Sequence, residues 1–258
     1  MNIPPTALID PKAQLHDSVS VGAYTVIEGD TFIDEGTVIG SGVRIYAHTR
    51  LGKNNRLDHG VALGCDPQDL GFDPAMPTGL IVGDNNTFRE NMNISRGSKE
   101  GSNTVIGHGN YFMSLTHVAH DCVFGDHNVM TQSAIIAGHS HVGNRAFISG
   151  LVAVHQNVNI GDFAMVAGLA KIVKDVPPYS TVDGNPATVI GTNVVGMRRG
   201  GLNQEQRNAI KRAYKVLYHS GMNLSQALEQ LESEPQTAEV ENIIRFFKDS
   251  RRGVTDHR

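Results

Sequence analysis

At 258 residues the chain is long enough for a sizeable core and one or two domains. Two cysteines, Cys65 and Cys122, are too few for a disulfide framework and read as thiols in a reducing, cytoplasmic setting. Residues 192–258 hold 11 Lys/Arg against 8 Asp/Glu and the rest 11 against 18, an acidic body with a mildly basic tail that argues against nucleic acid as the main partner. No apolar run is long enough to be a transmembrane segment, and the opening MNIPPTALID has neither the basic region nor the apolar stretch of a signal peptide.

From the start, every sixth residue is apolar: Ile3, Ile9, Leu15, Val21, Ile27, Ile33, Ile39, Ile45, Leu51, Leu57 and Leu63. Gly, Asp, Asn, Ser and Thr fill the intervals, as bends require. The rhythm breaks at CDPQDLGFDPAMPTG (Cys65–Gly79), returns one residue out of phase at Val82, Phe88 and Ile94, and breaks again at SRGSKEGSNT (Ser95–Thr104). From Ile106 to Ile172 it runs without a miss, with Gly107, Gly125, Gly143 and Gly161 recurring every eighteen residues. A period of six fits neither a helix nor plain strand alternation. It predicts a short strand plus a bend, three such units closing one coil of an all-β solenoid whose sixth residues point inward. The two interruptions, near 65–80 and 95–105, are then loops leaving the solenoid, where functional groups tend to sit.

After Ile172 the pattern gives way to KDVPPYSTVDGNPATVIG, an extended exit, so the solenoid is assigned to 1–191. Residues 192–258 read as a small α-helical C-terminal domain. Asn203 with Gln206 forms a capping-box pattern ahead of the apolar face of Ile210, Ala213, Tyr214 and Leu217, and Gly221 can stop that helix. Asn223 and Thr237 can cap two more. These helices could cover one end of the solenoid. The flat sides of a prism pack well against each other, which suggests a closed homotrimer.

Seven of the twelve histidines lie between His108 and His155. Residues eighteen apart stack on successive coils, so His120 falls under Gly138 and Gln156, and Asp121 under His139. His117 and His155 flank inward valines of the same region. An imidazole beside a carboxylate can hold one tautomer and keep its other nitrogen as a general base near neutral pH. Two other readings stand beside this one. Polar histidines can simply solvate solenoid bends, and His117, His120 and His139 could offer three imidazoles to zinc.

The motifs THVAHDC (116–122), AGHSHVG (137–143), AVHQ (153–156), KDVPPY (174–179), DGNPA (183–187) and GMRRG (196–200) occur in this order. Together with AYK at 213–215 and the late RG at 252–253, they make the chain similar over nearly its whole length to the UDP-N-acetylglucosamine acyltransferases of the lipid A pathway, a hexapeptide-repeat family. The resemblance implies a left-handed parallel β-helix, a homotrimer and clefts between subunits. It implies transfer of a 3-hydroxyacyl chain from acyl carrier protein to the 3-hydroxyl of UDP-N-acetylglucosamine, the first step of lipid A biosynthesis. No metal or cofactor is implied beyond the carrier's phosphopantetheine thioester. Matched by position, His120 would be the catalytic base, Asp121 its orienting partner and the Gly138 N–H the oxyanion donor. Asp69, His117, His139 and Gln156 would contact sugar or acyl chain. Asn193, Arg198 and Arg199 would meet the nucleotide and its phosphates, and Gly168 would end the acyl groove.

Three positions depart from the family pattern. Gly71 stands where a lysine is usual, Val195 where an acidic residue is usual, and Asn157 where HQF would have Phe. With His120 and Asp121 retained, they leave open a related acyltransferase acting on a different UDP-amino sugar or acyl donor, O- against N-acylation, and a pathway other than lipid A; a non-catalytic solenoid that serves as a scaffold stands as a separate reading.

Overall fold

Each six-residue unit contributes one outward residue, one inward residue and a bend. In Phe147–Ile148 the isoleucine is fully buried and the phenylalanine 38% exposed. The computed structural model describes residues 3–235 and 237–258. Its solenoid is a left-handed parallel β-helix of triangular section, as the periodicity and the resemblance together predict. The first face has nine strands, from Leu8–Ile9 to Lys171–Ile172. The second has eight, from Gln14–Leu15 to Asn159–Ile160, and the third ten, beginning with Ser20–Val21.

The inward residues form one column of branched aliphatics, thickened midway by Phe88, Phe112 and Phe124. The rings of Phe88 and Phe112 lie parallel, with centroids 5.4 Å apart. At the corner between second and third faces, buried Asn55, Asn86, Asn110 and Asn128 form a ladder. Each side-chain oxygen accepts a backbone N–H one coil further on. That satisfies bend amides that water cannot reach.

Both interruptions leave the solenoid without disturbing it. Leu57 pairs with Phe88 and Phe88 with Phe112 on the third face, although 31 and 24 residues separate stacked positions there instead of 18. The surplus is expelled at one corner, between first and second faces, as the loops 66–78 and 96–102.

The exit differs from a plain extended segment. Ser180–Gly184 continues the third face in parallel with Met165–Val166, then turns through Asn185 and Pro186 into Ala187–Thr192, which returns antiparallel. A hairpin has no six-residue period, so the repeat carries no trace of it. Four helices follow: α1 Val194–Arg199, α2 Gln204–His219, α3 Leu224–Ser233 and α4 Ala238–Asp249. The capping box at Asn203 forms as the sequence predicts, and Asn223 caps α3 as predicted, there too with a full capping box through Gln226. Thr237 precedes α4 but makes no side-chain cap; its hydroxyl is buried without a partner among the described residues. Among the described residues no helix is long and apolar enough to cross a membrane. The tail is sewn to the last coil through Asp175, whose carboxylate accepts Ser250 Oγ at 2.7 Å and the Asn159 N–H at 2.7 Å.

Ile148→Asp should unfold the coil around it, because it trades a buried aliphatic for an unpaired charge. The expected cost is at least about 3 kcal/mol, whereas outward Val38→Asp should cost well under about 1 kcal/mol. Chemical denaturation of both variants checks this. Equal losses would mean the inward assignment is wrong.

Candidate active site

The loop-bearing corner also carries the histidine motifs. Asp121, His139 and Asn157 occupy equivalent bend positions on three successive coils, all with left-handed backbone (φ 57°, 58° and 61°). Asp and Asn tolerate this conformation better than most residues. The stacking expected eighteen residues apart is present. His139 N–H donates to His120 O at 3.0 Å, and Asn157 N–H to Gly138 O at 3.0 Å. The His120 ring lies so close over Gly138 that a Cβ there would fall 2.8 Å from ring atoms, so glycine is required. The Gly138 N–H makes no hydrogen bond to any described residue.

His120 is the centre of the cluster. Its Nδ1 lies 2.8 Å from Asp121 Oδ2, and its ring meets that of His139 edge-on at 5.0 Å. Asp121 also accepts Ser98 Oγ at 2.5 Å, Ser102 Oγ at 2.6 Å and the Ser98 N–H at 3.1 Å to each oxygen. Burial alone would raise this carboxyl. The hydrogen bonds from Ser102, Ser98 and His120 outweigh it and hold the group at about 2. A carboxylate that stays ionised can only accept, so His120 must carry its proton on Nδ1. Its Nε2 is left with a free lone pair. That tautomer is assigned from the network. His117 sits on the first face, its Nδ1 2.5 Å from Asn93 Oδ1. Burial, and then the charge of His120, lower its pKa.

The three imidazoles expected of a zinc site do not converge. The nearest set of donor atoms is His120, Asp121 and His139, within 4.8 Å of one another. A cation there would have to displace the hydrogen bond between His120 and Asp121, and the carboxylate's acceptor sites are already filled by serine donors.

Other candidates lie apart. Gln156 is exposed on the coil above Gly138, and neighbouring His155 is engaged by Arg252 of the tail at 2.9 Å. Asp69 is exposed on the first loop, where it accepts the Gly71 N–H at 2.9 Å. Gly168 lies at a different corner, between third and first faces, where a Cβ would sit at ordinary contact distance, 3.5 Å, from Gly150 O. Asn193 caps α1, accepting the Gly196 N–H and donating to Phe163 O. Its side chain is therefore largely committed. Exposed Arg198 and Arg199 end that helix, and Arg199 borders a hollow of about 410 Å³ with Phe147, Met165, Asn193 and Val195 on the third face. A larger cleft, about 990 Å³, runs between the second face and α4. It reaches His139 and Asn157 but not His120.

Ser98 and Ser102 were not singled out by the sequence reading. Only the break in rhythm at 95–104 pointed to their loop.

The family model described as Udp N-acetylglucosamine O-acyltransferase, Domain 2, matches residues 175–255. The acyl-[acyl-carrier-protein]–UDP-N-acetylglucosamine O-acyltransferase of an Anaeromyxobacter species is 41% identical over 257 residues, 99% of this chain and all of that protein. The UDP-N-acetylglucosamine O-acyltransferase of Moraxella catarrhalis is 37% identical with a TM-score of 0.92, covering 99% of this chain and 100% of that one. The UDP-N-acetylglucosamine acyltransferase of Francisella novicida gives 32% and 0.95 over 98% and 94%. With identity and fold both kept from end to end, the chain belongs to the acyl-[acyl-carrier-protein]–UDP-N-acetylglucosamine O-acyltransferase family.

Proposed function

We propose that this chain moves a 3-hydroxyacyl group from acyl carrier protein to the 3-hydroxyl of UDP-N-acetylglucosamine, the first step of lipid A biosynthesis. The observation that carries the reading is the His120 ring, held by Asp121 on one side and stacked over Gly138 on the other. His120 Nε2 takes the proton of the sugar hydroxyl as its oxygen attacks the thioester carbonyl carbon. The oxyanion of the tetrahedral intermediate accepts the free Gly138 N–H. Collapse breaks the C–S bond, and the leaving pantetheine thiolate recovers the proton from His120. Asp121 keeps the imidazole in the Nδ1–H form and stabilises the imidazolium between the two steps. Nothing in this sequence needs a metal or a cofactor beyond the carrier's phosphopantetheine. The cytoplasm, the home we assign to the chain, keeps both free thiols reduced.

The working unit in this proposal is a homotrimer. Within one chain His120 lies at the first–second corner, while Arg198, Arg199 and Asn193 lie by the third face. One substrate could meet both groups only across two copies. Leu70, fully exposed, and Leu151 and Leu169, 60% and 70% exposed, are the kind of surface a neighbouring copy would cover. A second reading, the same chemistry on another UDP-amino sugar or acyl donor, is favoured by Gly71, Val195 and Asn157. A screen across acyl carriers and UDP-sugars separates the two.

His120→Ala should keep the fold by circular dichroism and lose about 10²–10⁴-fold in kcat. Near-normal turnover with the true substrates would end the proposal. Asp121 stays ionised well into acid because it is held at about 2, so its hold on the imidazole persists there. The same depression makes the Asp121 contribution to stability complete above the ordinary carboxylate range and lost as pH falls towards that value. Asp121→Asn should therefore destabilise near neutrality and make little difference at the acid extreme. Finally, mixed trimers of His120→Ala and Arg199→Ala subunits should recover activity that neither variant has alone. No recovery would argue against a site divided between copies.

A further inference from the structure

The loop 96–102 is built around Asp121. Ser98 gives its hydroxyl to Oδ2 and its N–H to both oxygens, and Ser102 gives its hydroxyl to Oδ1. Ser102 Oγ itself accepts the Lys99 N–H at 3.0 Å, so its own proton is free to point at the carboxylate. His120 shares Oδ2 with Ser98. With donors on both oxygens, the carboxylate can neither rotate nor take up a proton without breaking a bond to the loop.

The loop is itself anchored, independently of Asp121. Arg96, 7% exposed, reaches into the first loop. It pairs with Asp66 at 2.9 Å and donates to Pro74 O and Met76 O at 2.8 and 3.0 Å, with its guanidinium 5.0 Å from the Phe72 ring centroid. The Gly97 and Gly101 N–H groups donate to Gly79 O and Pro77 O, both at 3.0 Å. Six contacts therefore hold the second loop without any help from the carboxylate, five of them to the first loop and one to the strand beginning at Gly79. Anchoring the loop does not require Ser98 or Ser102 to donate to the carboxylate that His120 uses.

Resting on the reading of His120 as the base, we infer that Ser98 and Ser102 are positioning residues that fix the Asp121 carboxylate so that His120 presents Nε2 to the substrate. They touch no reacting atom; their effect passes through Asp121 to the imidazole. The carboxyl's low pKa, about 2, agrees with a group surrounded by donors.

The test uses the full chain with Ser98→Ala, Ser102→Ala, the double variant, and Ser98→Thr, which keeps the hydroxyl. Two readouts are taken: steady-state kinetics with acyl carrier protein thioester and UDP-N-acetylglucosamine, and the ring ¹⁵N signals of His120 in the resting protein, assigned by their loss in His120→Ala. Each alanine should lower kcat about tenfold, the strength of one hydrogen bond to a charged group. The KM for the nucleotide sugar should stay within about twofold. In the double variant the ring signals should move from the Nδ1–H pattern towards a mixture of tautomers, while Ser98→Thr stays near wild type in both readouts. A double variant with wild-type kcat and unchanged ring signals overturns the inference. So does a loss of kcat with the ring signals unmoved, or an equal loss in Ser98→Thr, since either would mark a structural role. His120→Ala in the same assay separates the two levels. If it keeps turnover, the reading of His120 as base fails. If it is inactive while the serine double variant is intact, only the role of the serines fails. The ring signals need no substrate, so they judge the serines even if the acceptor is another sugar.

Discussion

Everything in this molecule depends on the parallel backbone ladder that locks each coil onto the next. Its N–H groups donate one coil onward at a near-constant 2.7–3.2 Å, and the inward column of aliphatics is buried as a by-product of that register. Side-chain burial drives collapse, but the ladder decides which residues become neighbours. His120 and Gly138 meet because eighteen residues make one coil, and for no other reason.

This explains what could be read without coordinates. The period of six gave the inward residues, the three faces and the stacking of His120, Gly138 and His139. The capping box at Asn203 and the cap at Asn223 were legible because a cap is a local contact between residues three apart. The hairpin at 180–192 and the short helix α1 were not, since neither repeats and both depend on contacts with the last coil. Ser98 and Ser102 were also out of reach. The loop that carries them obeys no period, and nothing along the chain says that it folds back onto Asp121. A serine's value lies in what its hydroxyl meets, and that is a tertiary fact.

The departures from the family pattern fall into place on the same frame. Gly71 lies on the exposed first loop, Val195 on the exposed side of α1 and Asn157 on a bend one coil above His139. None touches the hydrogen bonds among His120, Asp121, Ser98 and Ser102. The histidine corner and the three departing positions thus lie in different parts of the chain. The first is fixed by the ladder and one anchored loop; the others lie on surfaces that can change without disturbing it.

The way the solenoid disposes of surplus chain has a consequence for how such a protein can change over time. Both loops leave at the first–second corner, and the register closes again behind each, as Leu57, Phe88 and Phe112 attest. That corner acts as an overflow. Residues inserted there enlarge the surroundings of the imidazole and leave every other coil in phase. A single residue inserted into a two-residue strand has no such outlet, and would turn an inward side chain out to water. Variation in length is therefore channelled to the corner that carries the histidine cluster, which makes the most regular part of the architecture the reason that corner is free to diversify.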